Sequence, residues 1–210
     1  MNRITYRAAL EIISHEGIVR QAYKDSKGVL TWGIGVTDAS GHNVKRYLGK
    51  PQPMEKVLEV FIWLLETKCL PAVIEAFHGY ELQEHELAAA LSFHYNTGGI
   101  KRALWVRTFM AGHRDSARVL FMSWKRPASI IPRREKERDL FFDGKWSATG
   151  FATEYTRLTR KGTVDWRSAK RVDIRKPLKR AMRKRGLPTK VKRNARPRWL
   201  RWIERLRWNR

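Results

Sequence analysis

Charge divides this 210-residue chain unevenly, and the division limits where a core can form. Residues 1–150 carry 22 basic and 16 acidic side chains, a net charge of +6. Residues 151–210 carry 22 basic and four acidic ones, a net of +18. The first part mixes its charges with apolar residues and can bury a core. The last 60 residues repel one another and, taken alone, cannot fill one. The expected organisation is a folded domain over 1–150 and a strongly basic extension over 151–210, helical or partly disordered. The single cysteine, Cys69, excludes an intramolecular disulfide and sits in the apolar run 61–70, where a buried structural thiol is expected. No apolar run has the length of a secretory signal or a membrane span, so the chain is expected to accumulate in the cytoplasm of the cell that makes it.

Ile4, Ala8 and Ile12, with Ala9 and Ile13, give an apolar face at helical spacing over residues 4–15. Gly17 supplies a stop. Glu16 therefore falls at the negative end of the helix dipole, a placement that favours keeping a proton. Residues 22–24 and 29–35 read as two short strands around the polar turn Asp25-Ser26-Lys27-Gly28. Asp25 opens that turn in a wet position, which favours an ionised carboxylate. Thr31, on the return strand, is placed to hold a water beside it. One carboxyl that keeps a proton and one that is ionised are what cleavage of a glycosidic bond requires. The structural alternative is plain: an Asp at the head of a turn and a Glu at a helix end are commonly solvated.

His15-Glu16-Gly17, Ala22-Tyr23-Lys24-Asp25 and Thr31-Trp32-Gly33-Ile34-Gly35 together resemble the active-site stretch of the phage-type lysozymes, glycoside hydrolase family 24. The resemblance continues through Ala90-Leu91-Ser92-Phe93-His94-Tyr95-Asn96-Thr97-Gly98, Arg133-Arg134-Glu135-Lys136-Glu137 and Asp143-Gly144-Lys145-Trp146, and covers about residues 4–146. It implies an α+β fold, mostly helical, with two lobes and a small β-hairpin sheet. It implies an N-acetylmuramidase that cuts the β-1,4 bond between N-acetylmuramic acid and N-acetylglucosamine in peptidoglycan, with no metal and no organic cofactor. Glu16 would be the acid, and Asp25 with Thr31 would activate a water on the opposite face, inverting the anomeric centre. Arg133 is the expected orienting partner of Glu16. Tyr23, Trp32 and Asn96 are expected in the substrate cleft. A helix over 53–68, broken near Pro71, is expected to link the lobes, and an apolar helix over 84–95 to be central.

Near the C-terminus, Trp199, Trp202, Ile203 and Leu206 stand at i, i+3, i+4 and i+7, with Arg198, Arg201 and Arg205 on the remaining surface. Residues 197–208 thus read as a cationic amphipathic helix suited to anionic outer- or inner-membrane lipid. A virion protein, nucleic acid or plain solvation are the competing occupants of that face. The expected function is a monomeric phage or prophage endolysin in host-cell lysis, released from the cytoplasm by a holin or delivered in a particle. The alternative from another class is a virion-associated structural protein with an inert lysozyme domain and a tail that binds nucleic acid or a partner protein.

Overall fold

The computed structural model describes residues 3–189. The helix expected over 197–208, with its Trp, Ile, Leu and Arg residues, lies outside the described residues.

Helix α1 spans Tyr6–Ser14 and starts at Thr5, whose hydroxyl accepts a hydrogen bond from Ala8 N at 3.1 Å. Its apolar face buries Ala8, Ala9, Ile12 and Ile13. The chain then enters strand β1 (Gly17–Lys24), turns, and returns as β2 (Leu30–Gly33) and a short β3 (Val36–Thr37). Gly28 supplies the positive φ that the turn needs (+77°). β1 and β2 pair antiparallel, with Tyr23 opposite Thr31 and an irregularity between Val19 and Tyr23.

Helices α2 (Met54–Leu64) and α3 (Leu70–Ala76) form one rod, joined by a π turn over Leu65–Cys69. The expected break near Pro71 does not occur. The wider turn moves Leu70 N onto Leu65 O, and Pro71 falls in the first turn of α3, where its missing N–H costs little. Cys69 is buried in this turn, and burial pushes its thiol up to about 12. Helix α4 (Glu84–Thr97) opens with a reciprocal Gln83–Glu86 capping box and ends at Gly98 in the left-handed conformation. Helices α5 (Leu104–Met110), α6 (Arg114–Phe121) and α7 (Ile131–Asp143) surround a cluster of aromatic rings. Phe93, Trp105, Phe121 and Phe141 interlock there, with Trp105 and Phe121 4.5 Å apart between centroids.

The boundary expected at residue 150 does not separate a core from a tail. Beyond it come β4 (Phe151–Tyr155), β5 (Ala169–Asp173) and α8 (Arg175–Lys184). β4 pairs parallel to β1, so the sheet order is β3-β2-β1-β4-β5. α8 buries Leu178, Ala181 and Met182 in the same core as α1 and α2. Its cations meet the acidic edge of the rod: Arg180 pairs with Glu55, Lys184 with Glu59 at 2.5 Å and Arg185 with Glu66 at 2.5 Å. The rest of the chain supplies both the apolar surface and the counter-charges against which this segment packs.

Glu11, on α1, ties the start of the chain to the turn after α7. Its buried carboxylate accepts from Ser147 Oγ at 2.6 Å and from the backbone N–H groups of Ser147 and Ala148 at 3.1 and 2.9 Å. His15 Nε2 lies 3.6 Å away. Burial pushes the Glu11 pKa up, but His15 and the Ser147 and Ala148 donors outweigh it and hold the carboxyl below its usual range. A depressed folded-state pKa stabilises the protein fully above the unfolded value near ~4.3, and the stabilisation is lost as pH falls through the folded value. Glu11→Gln turns an amide N–H₂ toward backbone donors and is expected to cost about 1–3 kcal/mol at pH 7. Thermal melts of both chains should show a gap of several degrees at pH 7 that narrows toward pH 3. A constant gap would show that ionisation of Glu11 is not what matters.

Candidate active site

Glu16 leaves α1 just past its last turn, its N–H donating to Ile13 O at 3.0 Å. Its carboxylate remains one-fifth exposed and accepts from Arg133 Nη1 at 2.6 Å. Arg133 is itself fixed. It sits in the first turn of α7, which begins at Ile131-Pro132, and donates from Nε to Glu137 Oε1 at 2.8 Å and from Nη2 to Ser92 O at 3.3 Å. Arg134 donates to the other oxygen of Glu137 and, from Nη2, to Asn96 Oδ1 at 2.6 Å. Ser92 Oγ completes the group, 2.6 Å from Glu137 Oε1.

Glu137 is fully buried, and it makes the arrangement possible. Two buried guanidiniums without a counter-charge would cost several kcal/mol. With Glu137 between them, Arg133 can stand at a fixed place beside Glu16. Burial works against the Arg133 charge, but Glu16 and Glu137 outweigh it and raise its pKa. Arg134, more buried than balanced and repelled by Arg133, is lowered despite Glu137. The motif that contains Glu137 does not by itself assign it this role. The signal was present, since it lies three and four residues beyond the two arginines on one helix.

Asp25 sits at the other end of β1. Its Oδ1 accepts from Lys27 N at 2.8 Å and Val29 N at 2.9 Å, the hydrogen bonds that hold the turn. Among the described residues no donor engages Oδ2, which is left to meet solvent. Thr31 is buried beside the turn, its Oγ1 donating to Val29 O at 3.1 Å. The same carbonyl accepts from Asp25 N at 3.0 Å, so Thr31 and Asp25 share one anchor. Among the described residues no donor engages the Thr31 hydroxyl oxygen.

Tyr23 lies within electrostatic reach of both carboxylates. Burial, then the charges of Asp25 and Glu16, push its phenol up to about 12, so it stays a proton-bearing donor. Tyr95, beside Asn96 on α4, feels the charges of Glu16 and Arg133. Its hydroxyl donates to Ile34 O, and burial, with Glu16 next in effect, raises its pKa well above the usual value. It locks α4 to the chain after β2. Asn96 lines an open pocket of about 510 Å³ with Lys27, Trp124, Ile130 and Arg134. The pocket therefore lies between the hairpin tip and the helices, and neither Glu16 nor Asp25 lines it.

Trp32 is not in the cleft. It is 0% exposed, stacks on Tyr47 with centroids 4.0 Å apart and donates from Nε1 to Arg20 O at 2.9 Å. The reason is the two-residue period of a strand, because with Thr31 on the site face its neighbour must point the other way. Its role is to pack the hairpin.

The family model described as phage lysozyme matches residues 13–137. Among solved structures, a variant of phage P22 lysozyme is 25% identical, covering 68% of this chain and 100% of its own, with a TM-score of 0.56. An endolysin from the Escherichia coli phage FAHEc1 is 20% identical, covering 67% and 94%, with a TM-score of 0.53. The muramidase domain of SpmX from Asticaccaulis excentricus is 23% identical, covering 66% and 97%, with a TM-score of 0.52. No curated protein sequence matches the chain. The family match ends at residue 137, before β4, β5 and α8 begin.

Proposed function

This chain belongs to the phage lysozyme family, a family of glycoside hydrolases, and on that premise we propose that it is an inverting N-acetylmuramidase acting as an endolysin. Peptidoglycan is its substrate. The observation that carries the reading is the placement of two carboxyl groups at the two ends of one strand, each held by donors of its own. Glu16 is gripped by Arg133, and Asp25 keeps one oxygen toward solvent.

In the proposed reaction Glu16 gives its proton to the glycosidic oxygen as the bond to C1 of N-acetylmuramic acid breaks. A water held by Thr31 and Asp25 attacks C1 from the opposite face, and Asp25 takes its proton. The sugar leaves with a new C1 hydroxyl, Glu16 is left ionised and Asp25 protonated. Exchange with solvent restores both. Arg133 aims Glu16. In the lysis setting the chain is made in the host cytoplasm and reaches the periplasm and cell wall after holin-type release. Its surplus positive charge would draw it to anionic envelope polymers.

Digestion of purified peptidoglycan tests the chemistry. The new reducing ends are expected to be N-acetylmuramic acid, appearing first as the α anomer by proton NMR. Reducing-end N-acetylglucosamine would contradict a muramidase, and the β anomer would contradict inversion.

A further inference from the structure

β1 joins Glu16 to Asp25, and the part of the chain beyond residue 150 flanks it at both ends. Gly17 and Ile18 pair with Thr153 and Glu154. Lys24 N donates to Gly162 O at 2.8 Å, and Lys24 bridges to Thr163. On this flank stand two aromatic side chains that the core does not use. The Tyr155 ring lies against Gly17, the residue after Glu16, so closely that a Cβ there would be 2.8 Å from Tyr155 Cε2. Trp166 meets Tyr155 edge to face, with centroids 5.0 Å apart and planes at 87°.

Trp166 is 69% exposed, the only tryptophan among the exposed large apolar residues described. Its loop is nevertheless built to hold it still. Trp166 opens a short 3₁₀ turn whose preceding residue, Asp165, accepts from Arg167 N at 3.0 Å and pairs with Arg157 at 3.2 Å. Ser168 Oγ donates to Asp165 O at 2.6 Å and accepts from Arg157 N at 3.1 Å. An indole fixed in water beside a catalytic strand is a preformed surface for a ligand with an apolar face and polar rim. A pyranose ring is such a ligand. Arg160, Lys161 and Arg167 are exposed on the same loop, and among the described residues no ion pair engages them. Their charge suits the carboxylates that muramyl groups and stem peptides carry.

We propose that Tyr155 and Trp166 form a stacking platform for an N-acetylhexosamine of the peptidoglycan strand, an added substrate subsite beside Glu16. The proposal rests on the muramidase reading and names where the extension meets that enzyme's substrate.

The test uses the full chain and purified peptidoglycan glycan fragments that keep their stem peptides. Binding is measured by calorimetry in the Glu16→Gln background, and KM and kcat with Glu16 in place. Trp166→Ala is expected to raise Kd and KM by about 3–10-fold, with kcat within twofold and an unchanged melting temperature. Trp166→Tyr, which keeps a stacking face, is expected to recover most of the affinity. An unchanged Kd and KM in Trp166→Ala would overturn the platform. Fragments bound through Trp166 but never cut by the chain carrying Glu16 would instead overturn the muramidase reading and leave the platform standing.

Discussion

Glu16→Gln is expected to lower kcat on peptidoglycan by roughly 10²–10⁴-fold, the contribution of a positioned general acid. The substitution keeps the side chain's length and leaves an amide oxygen for Arg133 Nη1 to donate to, so the site should keep its shape. It removes only the proton that the leaving oxygen needs. KM should therefore change little. One cost is structural: Arg133 and Arg134 would be left with Glu137 as their only buried counter-charge, and a small fall in melting temperature is expected. Asp25→Asn makes the companion case. Asparagine Oδ1 can still accept from Lys27 N and Val29 N, so the turn survives while the base is lost. A comparable fall in kcat with an intact fold would assign Asp25 to chemistry rather than to the turn. Turbidity loss of outer-membrane-stripped Gram-negative cells, alongside circular dichroism, reads both. Undiminished clearing by Glu16→Gln would remove Glu16 from the mechanism.

The parts of this molecule that were legible in the sequence are those where local pattern and tertiary demand agree. The stripe Ala8, Ala9, Ile12 and Ile13 announces α1, and Asp25-Ser26-Lys27-Gly28 announces the turn of the hairpin. Arg133, which the resemblance to the phage-type lysozymes sets against Glu16, stands there at the start of α7. Where one demand hid another, the pattern failed. Thr31 and Trp32 are adjacent and were read as one motif, yet a strand sends them to opposite faces. Pro71 reads as a breaker only if the helix stays α-helical through Cys69, and the π turn cannot be foreseen from residue types. The region after residue 150 is the least legible, because its 13 lysines and arginines between 151 and 189 mask the apolar residues among them. Ile174, Leu178, Ala181 and Met182 stand at i, i+4, i+7 and i+8, an ordinary buried helix face. Glu55, Glu59 and Glu66 on the rod are its complement, but nothing local in either segment says that they meet.

That complement makes the second prediction. A chain ending at Gly150 is expected not to fold cooperatively at 37 °C, whereas the full chain is expected to melt in one cooperative transition. Ile174, Leu178 and Met182 are fully buried. At about 1.5–3 kcal/mol each, their loss comes to about 5–9 kcal/mol, against a total of about 5–15 kcal/mol for a typical domain. Removal would also strip β4 from the edge of β1 and uncover unpaired backbone beside Glu16, an invitation to aggregation. The ion pairs of α8 with Glu55, Glu59 and Glu66 matter less, because exposed pairs contribute little each. Ile174→Ala with Leu178→Ala in the full chain should therefore approach the effect of truncation, while Arg180→Ala with Lys184→Ala should not. If the chain ending at Gly150 were soluble, cooperative and fully active, the extension would be a detachable attachment and the five-stranded sheet would not be needed for the site. If it fails as expected, the basic segment has two inseparable roles. Its inner face completes the catalytic core, and its outer face is free to carry charge toward the envelope because the inner face is anchored.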